Sequence, residues 1–579
     1  MRKKFYLVLF LFALLGTAGA WATRVQVTYS VTKSAGTWFW PDGNPVDGTS
    51  GWATKFVSSD NVLTLESTER KINSGYAFDN GFRINHGDLG LAIVSYTLSV
   101  PQNFTIVNYT FGAAPSGGAD NIMKISPNED MSGAVSVRKT PVEGESQASY
   151  TQEVNAKEGT FYLQQPAGAV DVTLTVVVEA DDYGQFVRSY LTEEKIANVE
   201  CAGQYGYPKK TTPSYENITS FVDKLTQENA EWTEEEYANV ASYYEAYLAE
   251  TDIVLPEAGK FYRIYCDNGT NIKYITEKNG EIWGLVAPEY EYKATIWYMD
   301  ENKLTALSNG YQYAGSSSNS AAMGLTNTAV SFQKSTSTFG KMNVVPTGVS
   351  SWFVQISTTN EGKLGTGGDN LPGARFNVEE VDALPITISD AGLATFYSPV
   401  AVTVPEGVTA YTGEINENGT ALNLNPVRAG GTIPANTAVI LEKTDGGKGE
   451  REVSLPIAKD ASVAGTENEV FTGTISTITT PTDAQIKILT LQSRDGNTGF
   501  YPYSGETLAG FKAYLTMTND SNDPAGVKGI VLNFGMTDAI REIVKDGQQA
   551  EAIYDLTGRR VEKAVKGIYI VNGKKTVIK

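Results

Sequence analysis

The chain has 579 residues with 46 basic and 66 acidic side chains, for a formal charge of −20, and it carries one histidine and two cysteines. At roughly 100 to 200 residues per domain it is too long for a single core and reads as modular, with roughly three to five domains. The negative balance disfavours nucleic acid and anionic membranes as partners. One histidine excludes multi-histidine zinc sites, and so few cysteines leave the domains to be held by their own cores.

Arg2, Lys3 and Lys4 precede an apolar run from Phe5 to Leu15 and then small residues up to Ala20 and Ala22. This is the plan of a signal peptide over 1–22. The run is too short to span a bilayer and no second long apolar stretch follows, so no transmembrane segment is expected in the mature chain. The cleavage region has no cysteine to lipidate.

Across 23–182 apolar residues alternate, as in Val25, Val27, Tyr29, Val31 and in Val172, Leu174, Val176, Val178. A period of two broken by Gly, Pro, Asn and Asp predicts half-buried strands and an antiparallel β-sandwich. The period then changes. Phe186, Val187, Tyr190 and Leu191, then Ile218, Phe221, Val222 and Leu225, then Tyr237, Val240, Ala241, Tyr244, Tyr247 and Leu248 recur at helical spacing. Thr233 with Glu236 is a capping-box signature. Three helices are predicted over 184–251, forming a small bundle that spaces two β regions. Residues 255–383 return to β character, with the size and turn frequency of a β-trefoil though without a QxW repeat. Strands continue over 384–536, through Ile386, Ile388, Val402, Val404, Val439, Leu441, Ile486, Ile488, Ile530 and Leu532.

The tail, 545–579, contains Ala552-Ile553-Tyr554-Asp555-Leu556-Thr557-Gly558-Arg559-Arg560 and Lys566-Gly567-Ile568-Tyr569-Ile570-Val571-Asn572-Gly573-Lys574-Lys575. Its two strand-like runs each end in a Gly turn, which is hairpin chemistry. From 541 onward nine basic against five acidic residues reverse the sign of the chain. These two blocks, in this order, resemble the type A C-terminal sorting domain of the type IX secretion system of Bacteroidetes. The resemblance assigns the sorting signal to Tyr554, Asp555, Gly558, Arg559, Lys566, Gly567, Tyr569, Gly573 and Lys574. It implies the type IX secretion machinery as a partner and a location in the medium or at the cell surface, attached to the outer membrane. Three further segments resemble modules of such surface proteins. The helical stretch is similar to their spacers, and Phe261-Tyr262-Arg263-Ile264 with Thr295-Ile296-Trp297-Tyr298 is similar to trefoil-like modules of secreted carbohydrate-active proteins. Ile388-Ser389-Asp390-Ala391-Gly392-Leu393-Ala394-Thr395-Phe396-Tyr397 is similar to a C-terminal β-sandwich module.

Catalytic motifs are scarce. His86 lies in a polar turn without a GxSxG elbow, which favours a surface residue over a triad member. Asn519-Asp520-Ser521-Asn522-Asp523-Pro524 offers oxygen ligands without EF-hand spacing, and Gly365-Thr366-Gly367-Gly368-Asp369-Asn370 lacks the Lys-Ser/Thr of a phosphate loop. Ser493 to Phe500 reads as a turn rather than an Asp box. No metal or other cofactor is expected. A carboxylate pair suited to glycoside hydrolysis is not excluded among 66 acidic residues. One disulfide, Cys201–Cys266, is open to an exported chain, against two buried thiols in different modules.

Aromatic residues carry the more specific signal. Trp38 and Trp40 share a strand face, and Trp283, Tyr290, Tyr292, Trp297, Tyr298, Tyr311 and Tyr313 crowd the trefoil-like segment. Sugar rings stack on exposed aromatic faces, while phenol and indole tips hold hydroxyls. Trp283, Trp297, Tyr298, Tyr311 and Tyr313 are the expected ligand contacts, unless these rings form core. The leading expectation is non-catalytic binding of extracellular glycan or adhesion. The alternatives are a carbohydrate-active enzyme with its site in the N-terminal β domain and a structural surface protein.

Overall fold

The computed structural model describes residues 24–30, 52–53, 55–67, 72–78, 81–85, 93–113, 122–164, 169–267, 271–316, 321–324, 328–348, 353–356, 362–445, 449–459, 470–483, 486–494, 496–518, 529–534, 553–554, 560–561, 567–571 and 574–578. The expectations placed on 1–22, Trp38, Trp40, His86, 519–524, Asp555, Gly558, Arg559, Lys566 and Gly573 lie outside these residues. The chain is mainly β and divides into two compact units, Met1–Val254 and Leu255–Lys579.

In the first unit the alternating runs become two antiparallel sheets. One is ordered Ser149–Ala156, Thr105–Ala113, Ala169–Ala180, Gly81–Asn85, Ile72–Phe78, Trp52–Ala53, with Val25–Ser30 also paired to Ala169–Ala180. The other is ordered Val135–Val137, Met123–Ser126, Glu158–Gln164, Ile93–Ser99, Thr64–Ser67, Lys55–Val57. Val172, Leu174, Val176 and Val178 enter one core together with Tyr96, Leu98, Phe161 and Leu163 of the opposite sheet. Each such side chain contributes about 1.5 to 3 kcal/mol by burial, and a one-residue slip would turn the whole row to solvent. This is the predicted sandwich.

Four helices follow where three were expected: α1 Tyr183–Tyr190, α2 Glu193–Glu200, α3 Pro213–Leu225 and α4 Glu234–Ala249. The periodicity missed α2 because only Val199 of its residues is buried, leaving no apolar stripe. Its stability comes instead from the Thr192 cap and the acidic first turn. α4 opens on the Thr233–Glu236 capping box. The helices are not a free-standing spacer. Phe186 belongs to the sandwich core, and Tyr183 and Tyr237 pack against it. The buried carboxylate of Asp60 accepts hydrogen bonds from the hydroxyls of Tyr29 at 2.5 Å, Tyr237 at 2.9 Å and Ser58 at 2.5 Å, fastening α4 to the sheets.

The second unit opens with a β-trefoil. Its strand pairing closes a barrel of six, Lys260–Asp267, Ile296–Asp300, Lys303–Ala306, Val330–Lys334, Met342–Pro346 and Asn377–Glu380. A hydrogen bond from the Val330 N–H to the Asn302 carbonyl and a reciprocal pair between Met342 and Phe376 bridge the two remaining gaps. Three hairpins cap the barrel, Ile272–Lys278 with Glu281–Leu285, Gln312–Ser316 with Ala321–Gly324, and Phe353–Ile356 with Leu364–Gly367.

Nine of the remaining strands form one sheet, from Leu393–Phe396 round to Phe471–Thr474, beside the two-stranded pairs Ala383–Ile388 with Arg451–Pro456, Val402–Thr403 with Thr432–Ile433 and Ile478–Thr479 with Thr507–Leu508. Leu422, Leu424 and Ile440 from one half meet Phe471, Leu489, Phe500 and Leu515 from the other in a single core, so the sheet is folded over on itself as a sandwich. The predicted turn near Ser493 joins Ile486–Arg494 to Asn497–Pro502. Barrel and sandwich are fused through a second core, in which Phe261, Ile296, Tyr298 and Leu307 pack with Leu384, Ile386, Phe396, Leu441 and Phe511. Backbone seals that junction. Gly510 N–H donates to the Asn309 carbonyl at 2.9 Å and Thr477 N–H to that of Gly310 at 2.7 Å. A Cβ on Gly310, whose φ is +81°, would meet Gly510 Cα at 2.4 Å, so neither side chain nor ordinary φ is admitted there. In the tail Ile553–Tyr554, Arg560–Val561, Gly567–Val571 and Lys574–Ile578 form a four-stranded sheet. Tyr554, Gly567, Tyr569 and Lys574 lie on these strands, and Val571 pairs with Lys574 across the predicted Asn-Gly turn.

Candidate functional site

Most of the aromatic residues singled out from the sequence are core. Trp297 is 1% exposed inside the barrel and donates its indole N–H to the Ile275 carbonyl at 2.9 Å. Tyr298 points out of the barrel into the junction core, its ring 5.0 Å from that of Phe261. Burial, with the charge of Asp300, pushes its hydroxyl up to about 12. Tyr313 is also buried. None of the three offers a face to a sugar, which corrects the expectation for Trp297, Tyr298 and Tyr313. Trp283 is half-buried in the first cap hairpin, with the ammonium of Lys363 4.8 Å from its ring centroid. Tyr311 is half-buried beside the Asn309 turn, its N–H donating to Asn309 Oδ1 at 2.9 Å.

The structure gathers a different set on the outer face of the barrel. Alternation along Lys260–Asp267 turns Phe261, Arg263 and Tyr265 outward. Phe261 is covered by the sandwich, whereas Tyr265 remains half-exposed. Between them the Arg263 guanidinium lies 3.7 Å from the Tyr274 ring centroid and 4.5 Å from that of Tyr292. Its Nε donates to Thr295 Oγ1 at 2.8 Å, Nη1 to Glu379 Oε1 at 2.5 Å and Nη2 to the Tyr290 hydroxyl at 3.4 Å. Register explains the meeting. Arg263 pairs with Glu379, and Tyr265 with Tyr274, across the two strands flanking Lys260–Asp267. The Tyr265 and Tyr274 rings are 5.0 Å apart and those of Tyr274 and Tyr290 5.7 Å.

Arg263 is nearly buried and each of its three nitrogens has a partner, so it acts as the pin that orients the tyrosines. Cation–π contact contributes roughly 0.5 to 2 kcal/mol per ring as desolvation increases. The surface left to a ligand is aromatic, with Tyr292 46% exposed and Tyr265, Tyr274 and Tyr290 half-exposed around it. Burial raises the phenol pKa of Tyr265 and Tyr274, the latter against the opposing charge of Arg263, so both keep their protons at neutral pH. The patch therefore presents flat apolar faces and neutral hydroxyls that donate and accept.

Sequence reasoning counted Tyr290 and Tyr292 in the aromatic crowd but passed over Arg263, Tyr265, Tyr274 and Glu379. The signal was an arginine inside an otherwise apolar and aromatic strand. A charge there needs a partner, and Glu379 stands 116 positions away.

Both cysteines are free thiols, Cys201 at the end of α2 in the first unit and Cys266 buried in the barrel of the second. Strand alternation packs Cys266 into the barrel interior, where burial raises its thiol to about 11, an unreactive environment. Among the described residues no group of three or more His, Cys, Asp or Glu is arranged to hold a metal ion, and no helix is long and apolar enough to cross a membrane.

No protein-family model and no curated protein matches the chain. Among solved structures it is aligned with vicilin from Capsicum annuum at 11% identity and a TM-score of 0.10, over 68% of this chain and 85% of that one. Oxalate decarboxylase from Lactobacillus farciminis aligns at 9% identity and 0.12, over 69% and 86%. The CBM32-1, CBM32-2 and M60 catalytic domains of Clostridium perfringens ZmpB align at 10% and 0.12, over 79% and 37%. Scores this low establish no shared fold, and they carry no argument about function.

Proposed function

We propose that this chain is an exported modular protein that binds glycan outside the cell, through the tyrosine patch pinned by Arg263. The observation that carries the reading is the arrangement of Tyr265, Tyr274, Tyr290 and Tyr292 around one guanidinium on the outer face of the trefoil, with Tyr292 46% exposed. Stacking of sugar C–H faces on such rings needs no charge and suits neutral polysaccharide. A glycan array followed by calorimetry tests it. Tyr292→Ala weakens binding by about 1 to 3 kcal/mol, the scale of a central contact residue, while costing the fold only about 0.5 to 1 kcal/mol through the lost contact with Arg263. Affinity that survives both Tyr292→Ala and Tyr265→Ala removes the patch from the mechanism.

Export through the type IX machinery to the cell surface or medium is the second element of the proposal. It rests on the tail blocks, and the self-paired strands from Ile553 to Ile578 support it by making the tail a small sheet of its own. Deletion of 550–579 leaves a folded protein in the periplasm, as read by fractionation. Normal surface delivery of the truncated chain rejects this element and leaves the binding proposal standing.

A further inference from the structure

The first unit holds a cleft between helix α1 and a turn of the sandwich. Along α1, Phe186, Val187 and Tyr190 are buried, which leaves Gln185, Arg188 and Ser189, at i, i+3 and i+4, together on the outer face. The opposite wall is the turn from Pro101 to Phe104, which joins Ile93–Ser99 to Thr105–Ala113 and is closed by the Phe104 N–H donating to the Pro101 carbonyl at 3.1 Å. Gln102 and Asn103 at its tip are exposed. Between them these residues enclose about 370 Å³, toward the lower end of small-molecule sites at roughly 300 to 1,000 Å³.

Both walls are tied to one core, so the cleft is preformed. Phe104 is buried, with its ring edge-on to that of Phe186 at 5.0 Å. Val100 N–H donates to the Lys157 carbonyl at 2.9 Å where the turn begins, and the Ser189 carbonyl accepts from Asn61 Nδ2 at 3.3 Å where the helix ends.

The polar groups around the cleft have capacity to spare. The side chains of Gln102, Asn103 and Arg188 make no hydrogen bond or ion pair with any described residue. Gln185 Oε1 is buried without a donor, while its Nε2 reaches Asp181 Oδ2 only at 3.5 Å. An amide oxygen left in that state costs the fold stability, and a hydroxyl entering the cleft would satisfy it once the amide turns. Asp181 is itself held by Arg24 Nε at 3.0 Å. Among the described residues that line the cleft, Arg188 is the one charged side chain. Its guanidinium matches the two oxygens of a carboxylate, and amides that both donate and accept suit hydroxyls on the same ligand.

We infer that this cleft is a second carbohydrate site, taking a hexuronate with its carboxylate on Arg188 and its hydroxyls on Gln102, Asn103 and Gln185. It goes beyond the neutral tyrosine patch, which belongs to the other unit, and does not rest on it. The uronate is either a free sugar acid or a residue of an acidic polysaccharide, and the test separates the two.

The experiment is calorimetric titration of the full chain with sodium galacturonate, with galactose as its neutral counterpart and with an oligogalacturonide, on wild type, Arg188→Gln, Asn103→Ala and Tyr292→Ala. Wild type is expected to bind galacturonate and to bind galactose about tenfold more weakly, the loss of one charge-assisted hydrogen bond. Arg188→Gln should lose about tenfold for galacturonate and keep its affinity for galactose, whereas Asn103→Ala should lose about threefold for both. Both residues are exposed, so these variants should melt with wild type. Tyr292→Ala should bind uronate normally. Wild type that binds neither uronate, galactose that binds as tightly as galacturonate, or full uronate affinity in Arg188→Gln each overturns the site. Loss of uronate binding in Tyr292→Ala also overturns it, by moving the ligand to the patch. Equal affinity for the monomer and the oligomer assigns the ligand to a free sugar acid, and tighter binding of the oligomer that falls in Arg188→Gln assigns it to a polysaccharide.

Discussion

Trp297 separates a core reading of the trefoil aromatics from a ligand reading by energy alone. The ring is 1% exposed and its N–H is bonded to the Ile275 carbonyl at 2.9 Å. Trp297→Ala deletes the filling of the barrel at about 3 to 5 kcal/mol. It also orphans a buried carbonyl at about 1 kcal/mol or more. In a unit the size of Leu255–Lys579, where about 1 kcal/mol moves the midpoint by roughly 1.5 °C, the total of about 4 to 6 kcal/mol lowers its transition by roughly 6 to 9 °C. Differential scanning calorimetry reads this directly. Tyr292→Ala is the control, an exposed ring whose loss costs only about 0.5 to 1 kcal/mol through its contact with Arg263. A Trp297→Ala protein that melts with wild type but no longer binds glycan would refute the argument, because it would make the indole a contact and not a filling.

Three other outcomes follow from particular contacts. Tyr237→Phe removes a hydroxyl bonded to the buried carboxylate of Asp60 at 2.9 Å; a loss of about 1.5 to 3 kcal/mol is expected, with faster amide exchange in α4, and unchanged exchange would show that the bond does not fasten the helix. Gly510→Ala places a Cβ 2.3 Å from the Ile475 carbonyl oxygen and 2.7 Å from Gly310 Cα; the overpacking costs about 1 to 3 kcal/mol, read as a lower urea midpoint, and an unshifted midpoint would mean that the junction yields. Burial brings the Lys195 ammonium, which sits 3.4 Å from the Tyr190 ring centroid, down to about 8, against the pull of Asp60, Glu194 and Glu245. The unfolded chain then binds that proton more tightly. Its contribution to stability therefore rises as pH climbs from about 8 toward the unperturbed lysine range, and Lys195→Met abolishes the rise; matching pH slopes in the two proteins would contradict this.

The sandwich of the first unit was legible because one face of each strand is wet. Val172, Leu174, Val176 and Val178 alternate with half-exposed residues, and period two survives in the sequence. The trefoil hid its phase for the opposite reason. In Ile296-Trp297-Tyr298-Met299 every residue is buried, Ile296 and Tyr298 under the sandwich and Trp297 inside the barrel. A strand covered on both faces shows no alternation, so counting its rings could not separate core from contact. The lone arginine of Lys260–Asp267 failed for a related reason, since its partners come from residues 274, 290, 292, 295 and 379 and no local window contains them.

Which tyrosines stay exposed follows from where the sandwich edge falls along the outer face. Phe261 is fully covered, Arg263 is 9% exposed and Tyr265 is half-exposed, so cover thins over two pleats of one strand. Arg263 stands at that edge, with the fused core on one side and the tyrosines on the other. Its charge cannot enter the core, and its three nitrogens are held by Thr295, Glu379 and Tyr290. The same residue that ends the hydrophobic junction thereby holds the aromatic surface open, because rings drawn to a fixed cation cannot collapse onto Phe261. Replacing Arg263 with Met should therefore extend the junction core toward Tyr274 and alter the near-ultraviolet tyrosine dichroism of the second unit. An unchanged spectrum would show that the rings hold their places without the guanidinium.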